Sequence, residues 1–198
     1  ILIMGPMTGY RSDEWTAFQN HAYGDFGVWT GIEVDSRIPV GTKRRPAEIP
    51  LFIKSENVID LPEGECSLLS EALSSQSGKV LARYVSGMHH HKPAIIENTV
   101  GKGKVVVLGT DPGKNAYSKI ALYYAEKAGI APIAKGDKGV VIVPRKGKKG
   151  EGFILVNITS EKKSIVAPVK GFKNLMSNQF VRSDEIQLNP YEIMVLSS

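Results

Sequence analysis

Apolar residues come in short dense runs along most of this chain, and only rarely at helical spacing. Ile1–Met4, Glu48–Ile53, Lys79–Val85, Ala94–Glu97 and Lys104–Leu108 read as strands. The last is an almost unbroken Val/Leu run, the pattern of a strand buried on both faces, as in an α/β sheet. Two segments read as helices. Over Asp13–Ala22, Ser12 is placed to cap, Asp13 and Glu14 suit the first turn, and Trp15 and Phe18 fall on one face. Over Asn115–Gly129, Asn115 is the predicted cap. Tyr117, Ile120, Ala121, Tyr124 and Ala128 form its apolar stripe, and Gly129 is placed as the residue that ends it.

The pattern changes near Pro132. Beyond it come only strands: Val140–Val143, Phe153–Ile158, Lys163–Ala167, Phe172–Met176 and Ile193–Leu196, with a Gly-rich hairpin loop over Lys146–Gly152. The expected organisation is an α/β domain over residues 1–134 and a small all-β antiparallel domain over 135–198. About 60 residues is marginal for independent stability. Ile1–Met4 already reads as a strand with no charged segment before it, so it is not a signal peptide. We expect it to continue a fold begun upstream.

Composition narrows the classes. No apolar run approaches the roughly 20 residues that span a bilayer, so a membrane partner is not expected. The single Cys66 excludes an internal disulfide and a cysteine-based zinc site, and fits a reducing, cytoplasmic location. Much of the net charge of +5 comes from Lys43-Arg44-Arg45 and Arg145-Lys146-Gly147-Lys148-Lys149. Both runs sit among Gly and Pro and read as solvated loop tips. No aromatic residues interleave with them, so nucleic acid is not expected as a partner.

Several stretches imitate chemistry. Val105-Val-Val-Leu-Gly-Thr-Asp-Pro-Gly-Lys-Asn115 has the strand–loop–helix layout of a phosphate loop. Its two glycines are one residue too close, and Asn115 replaces the Mg²⁺-binding hydroxyl. Asp111 adds a carboxylate and Pro112 removes an N–H donor. It reads as a structural corner. His89-His90-His91 offers imidazoles without a carboxylate or Cys at ligand spacing, and reads as a polar loop. Cys66, in Glu63-Gly-Glu-Cys-Ser-Leu68, lacks the second glycine of a nucleophile elbow and has acidic neighbours. Asp13–Glu14, Glu33–Asp35 and Asp184–Glu185 are carboxylate pairs of the kind glycosidases use, but by default they are solvated acids. No catalytic, cofactor-binding or metal-ligating residue is assigned, and no cofactor is expected.

Three segments, in order, resemble one family. They are Leu2-Ile-Met-Gly-Pro-Met-Thr-Gly9 with Asp13-Glu14 and Gly31-Ile-Glu-Val-Asp35; Ala82-Arg-Tyr84 and Lys92-Pro-Ala-Ile-Ile-Glu-Asn98 running into Val100-Gly-Lys-Gly-Lys-Val-Val-Val-Leu-Gly-Thr110; and Gly139-Val140 with Arg145, then Phe153-Ile-Leu-Val-Asn157 and Leu188-Asn-Pro-Tyr-Glu-Ile-Met-Val-Leu196. Together they resemble the region downstream of the catalytic barrel in family 42 glycoside hydrolases, mainly β-galactosidases. The resemblance implies a flavodoxin-like, class I glutamine amidotransferase-like middle domain that mediates trimer formation, then a small β domain. It also implies that both catalytic glutamates lie on a barrel upstream. The function expected is oligomer assembly, with a possible part in shaping the active-site entrance. Trp15, Phe18, Phe26 and Trp29 are candidate interface aromatics. The alternatives are a stand-alone amidotransferase-like enzyme and a carbohydrate- or anion-binding module.

Overall fold

A computed structural model describes residues 1–18, 23–40, 51–56, 58–62, 65–148, 150–168 and 170–198. The chain divides into two compact units, residues 1–130 and 131–198. Among the described residues no helix is long and apolar enough to cross a membrane.

The first unit is built from β1 (Leu2–Met4), α1 (Asp25–Thr30), β2 (Glu33–Pro39), β3 (Leu51–Ser55), β4 (Glu65–Cys66), β5 (Leu69–Ser74), β6 (Lys79–Tyr84), β7 (Pro93–Val100), β8 (Gly103–Leu108) and α2 (Gly113–Lys127). Six strands form one sheet in the order β1-β8-β7-β6-β3-β4, while β2 and β5 pair as a separate ribbon. Val105 to Leu108 are fully buried, as their apolar run predicts. One cluster joins Val106 and Leu108 to Ala116, Ile120 and Tyr124 of α2. Another joins Val105 and Val107 to Met4, Tyr23, Ile32 and Leu73. A helix therefore covers one face of β8, and the β2–β5 ribbon with the Tyr23 segment covers the other.

That arrangement overturns the expected flavodoxin-like α/β domain. The described residues hold fifteen strands and two helices, of six and fifteen residues. β3–β6, β6–β7 and β7–β8 all pair antiparallel, and β1–β8 is the one parallel pair among them. β7 and β8 are joined by a tight turn at Gly101-Lys102, whereas a parallel pair needs a crossover of a dozen residues or more. Burial on both faces was the right reading of Lys104–Leu108. It did not require parallel neighbours, because a second β-layer buries a strand as well as a helix does.

The helix expected at Asp13–Ala22 is absent over its described part. Ser12 to Thr16 form a turn, closed by Trp15 N–H donating to the Ser12 carbonyl and by an Arg11–Ala17 bridge. Residues 19–22 lie outside the described residues, as do residues 48–50 of the expected Glu48–Ile53 strand. The strong helix forms, but it buries Ala116, Ile120 and Tyr124. Tyr117, Ala121 and Ala128 are exposed. Its first-turn N–H is met by Asp111, whose Oδ1 accepts from Gly113 N at 2.9 Å, and not by Asn115.

The second unit holds β9 (Val140–Gly147), β10 (Gly150–Asn157), β11 (Lys163–Val166), β12 (Lys173–Asn174), β13 (Gln179–Phe180), β14 (Glu185–Leu188) and β15 (Ile193–Ser197). It is antiparallel throughout, with a five-stranded sheet β13-β12-β15-β10-β9 and a β11–β14 ribbon. Leu155, Ile165, Ile186, Leu188 and Leu196 form its core. Buried Asn157 staples the chain end. Its Nδ2 donates to the Glu161 and Asn189 carbonyls at 2.7 Å each, and its Oδ1 accepts from Thr159 N and Oγ1.

Candidate functional site

The β2–β5 ribbon carries a chemistry that the hydrophobic pattern does not reveal. Val34 pairs with Leu73, but Ser36 pairs with Ala72, so Asp35 is an extra residue in the strand. This bulge sets the register that follows and places Arg37 opposite Glu71. Glu71 is fully buried. Its Oε1 accepts from Arg37 Nε at 2.5 Å, and its Oε2 accepts from Tyr23 Oη at 2.5 Å. The Arg37 guanidinium also lies 4.6 Å from the Tyr10 ring centroid. Burial, then the charge of Glu71, pushes the Tyr23 phenol well above its usual range, so it stays a donor. Three segments, around Tyr10, Tyr23 and Arg37, thus converge on one carboxylate of β5.

A second polar link runs beside it. His89 Nδ1 lies 2.6 Å from Ser70 Oγ, and Nε2 lies 2.8 Å from Ser36 Oγ. Burial, helped by the charge of Lys92, holds the imidazole below its ordinary pKa against the pull of Asp35. A neutral ring donates with one nitrogen and accepts with the other, so it bridges the two serines. Tyr84 Oη sits 3.0 Å from the carbonyls of Glu71 and Gly109 and accepts from Glu71 N–H at 3.1 Å. This network has its oxygens committed to structural partners. It organises the chain and offers no open acid or base.

The segment held by this network presents aromatic surface. Phe26 and Trp29 of α1 meet edge to face at 5.4 Å. The Phe26 ring lies over Gly9, and the Phe18 ring lies over Gly24, where in each case a Cβ would collide. Trp15 is 77% exposed and Val28 is 65% exposed, and Met7 also faces solvent. Met7 and Trp15 both hold positive φ, at 63° and 65°.

The other sequence candidates separate cleanly. In the loop after β8, Asp111 Oδ1 caps α2 and Oδ2 accepts from Ser67 Oγ at 3.0 Å, so its carboxylate lines no phosphate cradle. Gly109 is glycine because a Cβ would strike the Glu71 carbonyl. Cys66 is buried, and burial pushes its thiol up to about 12. His90 and His91 stack on each other at 3.7 Å, apart from the His89 bridge. Among the described residues no group of three or more His, Cys, Asp or Glu could hold a metal ion. His21 and Lys43-Arg44-Arg45 lie outside the described residues. Asp13, Glu14, Asp184 and Glu185 are exposed, and Asp35 accepts from Ser74 Oγ at 2.6 Å. At the β9–β10 hairpin Lys146 pairs with Glu151 at 2.9 Å. Glu71, Arg37 and Tyr23 went unread because Ser, Asp, Arg and Glu break up the apolar pattern of β2 and β5. The signal available was the Glu71-Ala-Leu run beside Ser70, a charge entering an apolar stretch.

Comparison with known proteins now adds identity to this geometry. A family model described as the β-galactosidase trimerisation domain matches residues 1–131. The β-galactosidase YesZ of Bacillus subtilis is 26% identical over 207 aligned residues, covering 99% of this chain and 28% of that protein. The crystal structure of a β-galactosidase from Bacillus circulans sp. alkalophilus superposes with a TM-score of 0.85 at 14% identity, over 98% of this chain and 28% of that one. Gan42B, a family 42 β-galactosidase, gives 0.82 at 20% identity, over 100% and 28%. The chain thus spans little more than a quarter of the length of these relatives.

Proposed function

Because this chain belongs, over residues 1–131, to the β-galactosidase trimerisation-domain family, we propose that it is the assembly region of a family 42 glycoside hydrolase and forms a homotrimer. The catalytic barrel then lies in the part of the protein outside these 198 residues. The observation that carries this reading is the match of the first unit to a domain described by its assembly role, within relatives about three and a half times as long. The side chains agree with a non-catalytic part. Both Glu71 oxygens are bound, the Cys66 thiol is protonated, and Asp111 is a helix cap. A role in walling the active-site entrance of the barrel, and a cytoplasmic location, belong to the same proposal.

The test is direct. Sedimentation of the chain should give three times the 21.6 kDa protomer mass, and a chromogenic galactoside should not be turned over. A monomer at every concentration would defeat the assembly reading. Galactoside turnover by the purified chain would defeat the non-catalytic one.

A further inference from the structure

We propose that the aromatic surface around α1, formed by Met7, Trp15, Phe18, Phe26, Val28 and Trp29, is the face on which a second copy of this chain docks. The proposal rests on the assembly reading and names the surface that carries it.

Size is the first argument. At their observed exposures these six side chains leave on the order of 600 Å² of apolar surface open. Summed over the six, that approaches the ~800 Å² that each partner gives to a standard interface. The second argument is charge. Arg11, Asp13, Glu14 and Asp25 are exposed in the same segments, so an apolar centre carries a rim of both signs. Such a rim suits a partner with a mixed charge distribution, as another copy has, better than a polyanion or a membrane of one sign. The third is preorganisation. Trp15 and Met7 are held at strained φ, Phe26 and Phe18 are seated on Gly9 and Gly24, and Tyr10 and Tyr23 at the base are anchored through Arg37 and Glu71. Phe18, Phe26 and Trp29, packed before association, lose little entropy when they dock.

The chain supplies its own probe. Trp15 and Trp29 are its two tryptophans, and both belong to this surface. Iodide quenching of tryptophan fluorescence should be measured on the whole chain alongside sedimentation, from low to high micromolar concentration. Quenching should fall by about half as the oligomer forms. Val28→Glu, at a position 65% exposed, should keep the dilute chain's thermal unfolding and abolish both association and protection. Trp15→Ser should weaken association by about tenfold or more. An oligomer whose tryptophans stay as quenchable as in dilute solution, or a Val28→Glu chain that still assembles, would overturn this surface and leave the assembly reading standing. Tryptophans already shielded in the dilute chain would overturn it too. A wild-type monomer throughout would remove both.

Discussion

Arg37 and Glu71 stand directly opposite each other across the β2–β5 ladder, with Arg37 Nε donating to a carboxylate that has no solvent exposure. One Arg37 nitrogen, Nη2, is buried without a partner among the described residues, while Nε is held by Glu71 and the guanidinium lies over the Tyr10 ring. Removing one member of a buried pair strands the other. Glu71→Ala and Arg37→Ala should each cost about 3 kcal/mol or more in urea unfolding. The double variant Arg37→Met/Glu71→Leu should recover part of that loss, since two apolar side chains leave no charge behind and only the buried Tyr23 hydroxyl loses its acceptor. A double variant as unstable as the singles would show that the pair does more than satisfy itself.

Acid should weaken the first unit in two separable steps. His89 is held below its ordinary pKa, so the folded chain refuses a proton that the unfolded chain accepts below about 6.5. Stability therefore falls as pH drops through 6.5 toward the lower folded value. Burial opposes ionisation of Glu97, but hydrogen bonds from Lys104 and Tyr124 outweigh it and hold its pKa down. Its contribution is present above the ordinary carboxylate value and is lost further down. Melting temperatures from about pH 2 to 8 should show both slopes, and His89→Gln should remove the upper one only.

Cys66 should be silent in the native chain. A free thiol near its ordinary value of about 8.5 reacts readily at pH 8. The Cys66 thiol, pushed up to about 12 chiefly by burial, should not. Labelling by a disulfide reagent should follow opening of the first unit and accelerate in Glu71→Ala. Stoichiometric labelling within seconds in the native wild type would contradict the burial.

The loop after β8 should behave as a corner. Asp111→Ala removes a cap and the tie to Ser67, and should cost about 1 kcal/mol. Gly109→Ala forces a methyl against the Glu71 carbonyl and should cost about 2–3 kcal/mol. Neither change should alter nucleotide binding, because calorimetry with Mg²⁺-ATP should show no saturable heat for the wild type. A saturable isotherm abolished by Lys114→Ala would revive the phosphate loop.

Sequence reading reached the strands whose apolar residues are contiguous, Lys79–Val85, Ala94–Glu97 and Lys104–Leu108, and the one long helix. It missed β2 and β5 because their inward positions include Ser70 and Glu71, which are buried by pairing and not by hydrophobicity, and the half-buried Arg37 that pairs with Glu71. It placed a helix at residue 13 from the Trp15–Phe18 spacing, but positive φ at Trp15 is incompatible with one. The aromatics themselves were legible as candidates. What holds them depends on contacts between residues 34 and 48 positions apart, which no local pattern encodes.

The parallel pairing of β1 with β8 has a consequence for the order of events during synthesis. Leu2 meets Val105, so β1 waits for a partner translated about a hundred residues later. Closing so long a loop is entropically costly, whereas the β6–β7–β8 hairpins close locally. β1 therefore docks late, onto an edge already built, and its backbone groups facing that edge stay unpaired on the nascent chain until β8 has left the ribosome.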